Sequence, residues 1–161
     1  MMITLEEIEE QHAQISEQQS RIAAMIEQFK KQPKATEYVV AGAKIPLAPG
    51  ERYAGLVLAE DGTADYHLIL IPGEIEDAQW GRAVEWAVEQ GGELPTRREQ
   101  SLLFANMKSE FESAYYWSGE RHETNSGWAW CQYFGSGYQY CIDRDSEFRA
   151  RAVRRFIPSA I

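Results

Sequence analysis

The sequence is poor in cysteine and has no long apolar run, and each shortage excludes a class of protein. Two cysteines in 161 residues are too few for a disulfide framework, and Cys131 and Cys141 lack the spacing of a zinc site. No stretch is long and apolar enough to cross a membrane, so we expect no membrane partner. Residues 1–10 are acidic and show no signal peptide. We therefore expect a protein that is cytoplasmic where it is made, or exported without a cleaved signal.

Basic residues are also scarce. The chain has 16 lysines and arginines against 25 aspartates and glutamates, and its net charge is −9. Proteins that bind nucleic acid through its phosphates usually carry a basic face, so the charge predicts no general nucleic-acid binding. Five arginines nevertheless fall within residues 144–155, which leaves room for a local basic patch.

Patterns typical of catalysis are missing as well. The chain has no nucleophile elbow, phosphate loop or metal-ligand spacing, and its three histidines are far apart in the sequence: His12, His67 and His122. Five acidic residues do occur close together near the C-terminus: Glu120, Glu123, Asp143, Asp145 and Glu147. They fit acid–base chemistry or calcium binding, but solvated loop acids are the commoner explanation. We expect no enzyme, no catalytic or metal-binding residue and no cofactor.

What the sequence does contain begins with a heptad pattern. Apolar residues recur at alternating steps of three and four, interrupted by two polar ones: Leu5, Ile8, His12, Ile15, Gln19, Ile22, Ile26 and Phe29. Thr4 and Glu7 predict a capping box at the start of this helix, and Pro33 predicts its end. The pattern predicts a coiled coil over residues 1–32 that joins identical chains. Isoleucine at the d positions favours a trimer or tetramer. The alternative is that the helix folds back onto its own globular domain.

The rest of the chain, residues 33–161, predicts one α+β domain. Residues 36–40 predict a short strand, and residues 53–58 and 66–71 predict a hairpin with Asp-Gly in its loop. Residues 77–90 predict a helix with Trp80, Val84, Ala87 and Val88 on its inner face, and Gly91-Gly92 stop it. A second helix begins at Thr96, with Glu99 completing a capping box and Leu102, Leu103 and Met107 facing inward.

The last part of the chain predicts another strand, at residues 115–119, and a second hairpin. Residues 128–134 and 138–142 alternate in polarity around a turn at 135–137. A hairpin symmetric about Ser136 places Cys131 opposite Cys141, where they could form a disulfide if oxidised. Without a secretion signal, reduced thiols are favoured. The same register places six residues on one face: Trp128, Trp130, Phe134, Tyr138, Tyr140 and Ile142.

Four short motifs in this region resemble a known family. They are Gly92-Glu93-Leu94-Pro95-Thr96, Tyr116-Trp117-Ser118, Ala129-Trp130 and Arg151-Ala152-Val153-Arg154. Together they resemble the signature of the Legionella collagen-like adhesin C-terminal domain family, over about residues 50–156. The resemblance implies a C-type-lectin-like domain of twisted antiparallel sheets with two helices. Many such domains occur in phages and prophages, and the acidic coiled coil looks more like a phage protein than a secreted adhesin.

The resemblance also indicates where a ligand would bind. In this fold the region between the Tyr-Trp-Ser and closing-arginine motifs commonly forms a variable contact surface. The ligand-binding candidates are Arg121, Asn125, Tyr133, Tyr138, Gln139, Tyr140 and Arg144, while Trp117 and Trp130 are expected to be buried. Arg151 and Arg154 are expected to pair with carboxylates or backbone carbonyls, or else to bind an anion. The calcium-binding motifs of classical lectins and the closely spaced cysteine pair of the similar formylglycine-generating enzymes do not occur here.

Three functions fit these observations. The first is a non-enzymatic phage or prophage binding module that presents aromatic side chains to a host protein or glycan, with avidity from the coiled coil. The second is a structural accessory of a virion. The third is an intracellular inhibitor that blocks a host enzyme or sequesters a small ligand. We expect such a protein in the cytoplasm of the host cell or on the virion.

Overall fold

The computed structural model describes residues 3–32 and 44–158. The chain divides between residues 42 and 43 into an N-terminal unit and a C-terminal unit, ten residues beyond the predicted boundary at residue 32. The strand predicted at residues 36–40 lies outside the described residues. The architecture is α+β, as predicted. Within the described ranges, none of the helices has the length and apolar content needed to span a membrane.

The N-terminal unit contains one helix, α1 (Leu5–Lys31). Its predicted capping box is confirmed: the Thr4 hydroxyl accepts from the Glu7 amide at 3.3 Å, and the Glu7 carboxylate accepts from the Thr4 amide at 2.9 Å. The hydrogen bond from the Thr4 amide favours the ionised carboxylate and lowers the pKa of Glu7. The helix ends just before Pro33, where proline would interrupt its hydrogen bonding. No residue of α1 is buried in the single chain.

The C-terminal unit contains two helices and eight strands in the described residues. In chain order they are β1 (Arg52–Val57), β2 (Tyr66–Leu70), β3 (Ile75–Ala78), α2 (Trp80–Glu89), α3 (Arg97–Met107), β4 (Tyr115–Arg121), β5 (Trp128–Tyr133), β6 (Gln139–Asp143), β7 (Phe148–Ala150) and β8 (Val153–Phe156). A 3-10 turn, Lys108–Glu110, follows α3. The predicted capping box of α3 is confirmed.

The smaller sheet has the order β1-β2-β8, and all of its pairings are antiparallel. The predicted hairpin and the central position of its second strand are both confirmed. β2 is apolar on both faces, and Leu68, Ile69 and Leu70 are fully buried. In the connecting loop, Asp61 accepts hydrogen bonds from Thr63, and Gly62 supplies a positive φ of 79°.

The larger sheet has the order β3-β7-β4-β5-β6 and is antiparallel except where β4 runs parallel to β7. The sequence does not predict its edge strand β3, and the helix predicted at residues 77–90 overlaps the last two residues of that strand. The helix begins three residues later, at Trp80, after Asp77 adopts a φ of 47°. The inner face of α2 was also partly wrong. Val88 is 64% exposed, and Ala83 and Trp86 are buried instead.

The predicted register of the second hairpin is wrong by one residue. Trp130 lies opposite Cys141, and Cys131 lies opposite Tyr140. The loop is longer than predicted because the Tyr133 amide donates to the Tyr138 carbonyl at 2.9 Å, so that Phe134 belongs to the turn. A one-residue shift exchanges the faces of a strand. The two cysteines therefore lie on opposite faces of the sheet, and both are free thiols.

Two apolar cores lie on opposite faces of the larger sheet. The first packs α2 against the sheet through residues such as Trp86, Trp117 and Cys131. The second packs α3 and the smaller sheet against the other face, and Phe134 fills it from the turn. The Phe134 ring stacks on the Phe111 ring, with centroids 4.0 Å apart. The predicted burial of Trp117 is confirmed, whereas Trp130 is only half-buried.

Arginines of the C-terminal segment tie the unit together, and the pairing predicted for Arg151 and Arg154 is confirmed. Arg151 donates to the carbonyls of Glu110 and Ile71. Arg154 donates to the Pro46 carbonyl and to both oxygens of Glu51, at 2.6 and 2.7 Å. The Arg154 guanidinium lowers the pKa of Glu51 through these hydrogen bonds.

Glu99, the acidic member of the α3 capping box, also accepts bonds from outside the helix. Its side chain is fully buried, and it receives hydrogen bonds from Arg155 at 2.6 and 3.0 Å and from the Tyr66 hydroxyl at 2.6 Å. Burial by itself would raise the pKa of Glu99, but hydrogen bonds from Arg155, Tyr66 and Thr96 outweigh it, and the pKa is lowered. Burial and the Glu99 carboxylate raise the pKa of Tyr66 to about 12.

The Gly91-Gly92 stop of α2 depends on both glycines. Gly91 has a φ of 82°, a left-handed conformation that ends the helix. Gly92 faces β8 so closely that a Cβ atom would lie 2.4 Å from the Val153 carbonyl oxygen. No side chain fits at this position without moving the backbone.

Candidate binding surface

The predicted contact residues do not form one continuous site. One end of the larger sheet, in or beside its loops, holds Arg121, Asn125 and Arg144, and the turn at the other end holds Tyr138. The face that packs against α2 carries Tyr133 and Tyr140, and the face that packs against α3 carries Gln139. The two ends are separated by the length of β5, about 20 Å at the rise of a strand. A small ligand cannot contact both ends at once.

Two of the predicted residues meet at one aromatic ring. The guanidinium carbons of Arg121 and Arg144 lie 5.1 and 4.8 Å from the centre of the Trp80 ring. Trp80 is held rigidly, since its ring nitrogen donates to the Ser118 carbonyl at 2.8 Å and only 7% of the residue is exposed. Contacts at this distance are typical of cation–π attraction. Arg121 and Arg144 over the Trp80 ring are called the arginine pair below.

The loop between β4 and β5, residues 122–127, is folded around its own hydrogen bonds. The His122 ring nitrogen Nδ1 accepts from the amides of Thr124 and Asn125 at 3.2 and 3.0 Å, so the ring carries its proton on Nε2. The Asn125 side chain accepts from the Gly127 amide at 3.1 Å. These bonds fix the loop, and the predicted contact residue Asn125 shapes it from within.

This loop is joined directly to Arg144. The Arg144 amide donates to the Gly127 carbonyl at 2.9 Å, and its guanidinium donates to the Ser126 carbonyl at 2.9 Å. The Arg144 carbonyl in turn accepts from the amide of Trp80, the first residue of α2, at 3.1 Å. Three segments that are distant in sequence are thus fixed around the arginine pair.

On the other sheet face, Trp130 and Arg97 form a second cation–aromatic contact. The Arg97 guanidinium carbon lies 3.5 Å from the centre of the Trp130 ring, and the His122 ring stacks on Trp130 with centroids 6.3 Å apart. Gln139 accepts from the Arg97 side chain at 3.1 Å and donates to the Arg97 carbonyl at 2.6 Å. The amide of Gln139 therefore holds Arg97 in place over the indole.

The three tyrosines among the predicted contact residues differ in how much of their side chains is exposed. Tyr133 and Tyr140 both pack against Tyr115, with centroids 5.0 and 5.8 Å apart, and Tyr140 remains 41% exposed. Tyr138 is 67% exposed at the turn. Its neighbour Gly137, with a φ of 84°, lies against the Phe104 ring, where a Cβ atom would come within 2.8 Å. Tyr138 and Tyr140 are the available aromatic surfaces among the seven candidates.

The two thiols are poorly suited to act as nucleophiles. Cys131 is completely buried, and burial raises its pKa to about 12. Burial also raises the pKa of Cys141, which lies on the other face of the sheet. A thiol with a raised pKa is protonated at neutral pH, so neither side chain supplies a thiolate there.

Two further features of the C-terminal unit concern possible ligands. An open groove of about 380 Å³ runs beside α2 and is lined mainly by apolar side chains, including Trp80, Val84, Val88 and Leu94. In the ranges 3–32 and 44–158, no three histidine, cysteine, aspartate or glutamate side chains gather as metal ligands would. The acidic residues that are close in sequence near the C-terminus do not form such a group.

Sequence reasoning missed Trp80 and Arg97 as parts of the surface. The sequence places Trp80 on the inner face of a helix. Nothing in its local pattern shows that Arg121, at the end of β4, and Arg144, after β6, reach its ring. A signal did exist for Arg97, since it follows the N-cap Thr96 and lies on the first turn of a helix whose buried positions are Glu99, Gln100 and Leu103. That spacing leaves Arg97 at the edge of the buried face, where a long side chain reaches the neighbouring sheet.

Comparison of the chain with protein-family models and with curated proteins gave no match.

Proposed function

We propose that the protein is a non-enzymatic binding module, with a C-type-lectin-like C-terminal unit that contacts a host protein or glycan and an N-terminal helix that multiplies this contact by self-association. The combination of a phage-like domain organisation with the four short motifs supports a phage or prophage origin. In this proposal the host cytoplasm or the virion surface is the place of action.

The observation that carries the proposal is the exposed seam of α1. The apolar seam residues are about half exposed or more in the single chain, from 49% at Ile26 to 71% at Leu5. A helix that exposes an apolar seam is marginal in water and gains stability by burying that seam against another surface. Other copies of α1 offer the matching heptad pattern, with isoleucine at three d positions, and a trimer or tetramer buries all of it.

Two features support a binding role for the C-terminal unit. Its larger sheet carries exposed aromatic side chains at Trp128, Tyr138 and Tyr140, residues that give large contact area at low entropic cost. Its loops are fixed by internal hydrogen bonds around Trp80 and His122. A preorganised surface loses less entropy on binding.

Light scattering on the full chain and on a truncated chain that begins at Lys34 tests the self-association. We expect a trimer or tetramer for the full chain and a monomer for the truncated one. Full-length Ile15→Asp with Ile22→Asp is the matched control, because it keeps the chain length and disrupts only the seam. Monomers in all three samples contradict the proposal.

A glycan array probed with the same three proteins, followed by host proteins presented on a surface, tests the binding role. Multivalent attachment predicts that the full chain binds about 100-fold or more tightly than the two monomeric variants to a densely coated surface. Equal binding by all three proteins would remove avidity from the proposal and leave a monovalent binder.

One observation favours a second candidate, an inhibitor or a protein that sequesters a small ligand. The arginine pair places two positive charges at one aromatic ring. This arrangement suits a small negatively charged ligand as well as a macromolecule. A monomeric full chain that still binds its ligand through this pair would favour this candidate.

A further inference from the structure

We propose that the arginine pair is an anion-binding site that takes an oxyanion group, the phosphate, sulfate or carboxylate of a ligand. The inference rests on the binding role proposed above and names the chemistry that the C-terminal unit recognises.

The first reason is that two positive charges are held close together without a negative partner. Each guanidinium lies about 5 Å from the same ring centre, so the two lie within about 10 Å of each other. Among the described residues, no carboxylate oxygen lies within 4.0 Å of either one. An anion that reaches both guanidiniums would be attracted by each of them.

The lack of a partner is unusual for this chain. Most other arginines of the C-terminal unit have a carboxylate within ion-pair distance, as Arg82, Arg149, Arg154 and Arg155 do. Glutamates and aspartates outnumber basic residues in the sequence. Arg97 and Arg151 also lack a carboxylate partner, but their guanidiniums donate to the Gln139 side chain and to backbone carbonyls, whereas the Arg121 guanidinium has no hydrogen-bond acceptor among the described residues.

The second reason is the position of Arg144 at the N-terminus of α2. Its carbonyl accepts from the amide of Trp80, the first residue of this ten-residue helix. The N-cap, Gln79, makes no capping hydrogen bond with its side chain, and the first turn contains no acidic residue. The N-terminal end of a helix carries a partial positive charge and free amide groups, so it adds to the field of the two guanidiniums.

The third reason is that donors of the arginine pair remain free. One Arg144 nitrogen donates to the Ser126 carbonyl, while its Nε is buried and has no partner among the described atoms. The Arg121 side chain makes no hydrogen bond or ion pair among the described residues, and its contact is with the Trp80 ring. Its guanidinium donors are thus available for a bidentate contact, the geometry in which arginine binds phosphate and carboxylate groups.

Acidic residues lie on the same loops but are not paired with the arginines. The Asp143 carboxylate accepts from the Asp145 amide at 2.8 Å, which keeps it within its own turn. The Glu123 carboxylate lies 3.9 Å from His122. These acids reduce the positive electrostatic potential around the two guanidiniums. They therefore favour a ligand that makes direct hydrogen bonds to the guanidiniums over one that is attracted by charge alone.

Isothermal titration of the full chain tests the site, with inorganic phosphate in one arm and a short glutamate peptide in the other. Ionic strength is kept constant with sodium chloride in both arms. Saturable binding of either probe is expected. Tighter binding of phosphate would identify a phosphate-bearing ligand, and tighter binding of the peptide would identify an acidic protein segment; each supports an oxyanion site.

Variants place the binding. Arg121→Gln and Arg144→Gln should each weaken the tighter probe about tenfold or more, as expected for loss of a charge-assisted hydrogen bond. The matched control is Arg52→Gln, which removes the same charge from an exposed arginine paired with Glu110. If Arg144→Gln fails to fold, Arg121→Gln still decides the question, because the Arg121 side chain makes no hydrogen bond within the described fold and its substitution leaves the backbone pairing with Ala129 in place.

The inference is overturned if neither probe binds, or if Arg52→Gln weakens binding as much as the other two variants do. Light scattering on the same samples separates this failure from failure of the proposed function. An oligomer that binds its macromolecular partner but no small anion would contradict the anion-binding site and leave the proposed function intact. A monomer that binds phosphate would contradict the proposed multivalent binding and support the anion-binding site.

Discussion

Apolar side chains are exposed along α1 and buried in the C-terminal unit. In α1 the seam residues are exposed over almost the whole length of the helix, and its ordered start depends on local hydrogen bonds such as the capping box. The C-terminal unit closes two cores around one sheet and adds an Arg155–Glu99 ion pair whose carboxylate is fully buried. The C-terminal unit thus buries its largest apolar side chains within a single copy, whereas α1 leaves its seam exposed, which is why self-association is proposed for α1 alone.

The largest expected effect is a loss of stability in the C-terminal unit, caused by Glu99→Ala, that leaves α1 unchanged. This change leaves the Arg155 guanidinium without its buried partner and removes the acceptor of the Tyr66 hydroxyl. Breaking a buried ion pair from one side costs about 3–5 kcal/mol. Urea denaturation followed by tryptophan fluorescence reports on the C-terminal unit, because all five tryptophans lie there.

Glu93→Ala is the control for that change, since Glu93 contacts the same arginine from an exposed position. We expect a loss of no more than about 1 kcal/mol there. The oligomeric state should be the same for both variants. A dimer or monomer produced by Glu99→Ala would show that the two units depend on each other for stability.

A smaller effect of opposite sign is expected from Gln19→Leu in α1. Gln19 occupies an a position of the seam, where a polar residue costs stability and specifies register. Leucine at that position should strengthen the assembly by about 1–2 kcal/mol per copy through additional apolar burial. Sedimentation equilibrium over a range of protein concentrations measures the change.

Gln18→Leu tests whether the heptad assignment is correct, because Gln18 precedes the seam by one residue. It should change the association constant less than Gln19→Leu does. Urea denaturation of the C-terminal unit should be the same for both variants. Equal strengthening by the two variants would contradict the assigned seam.

The smallest effect is expected from mild oxidation. The corrected register places Cys131 and Cys141 on opposite faces of the sheet, so diamide or air should form no bond between them. Cys131, with a pKa of about 12 and no exposed surface, should stay unmodified by a thiol reagent at pH 8 until the protein unfolds. Mass spectrometry detects both products: a disulfide between Cys131 and Cys141 would contradict the register, and rapid modification of Cys131 in the folded state would contradict its burial.

Much of the fold could be predicted because its signals are local. The capping boxes at Thr4 and Thr96, the glycine stop of α2 and the first hairpin each depend on a few neighbouring residues. The strand β3 could not be predicted, since its four residues pair with β7 some seventy positions away and contain no alternating apolar pattern. The register of the second hairpin failed for a related reason: Phe134 leaves the sheet because Phe111 and Tyr116 offer it an apolar site in the second core.

The candidate site was predictable only in part. Arg121 and Arg144 were chosen for their place in the loops, and they do converge. The ring on which they converge was missed, because the contact joins segments separated by more than forty residues. The resemblance indicates Gln139 as a contact residue, but its side-chain amide bonds to Arg97, a tertiary partner that no spacing in the sequence indicates.

The approach of Gly92 to the Val153 carbonyl has a consequence for how this chain can evolve. A side chain at Gly92 would push α2 away from β8, so that position has no freedom to vary. At the opposite end of α2, a Cβ atom on Gly81 would meet no neighbour within 4 Å, and the nearby loop residues are exposed. New specificities can therefore accumulate by substitution at one end of the helix while the other end preserves the architecture that carries them.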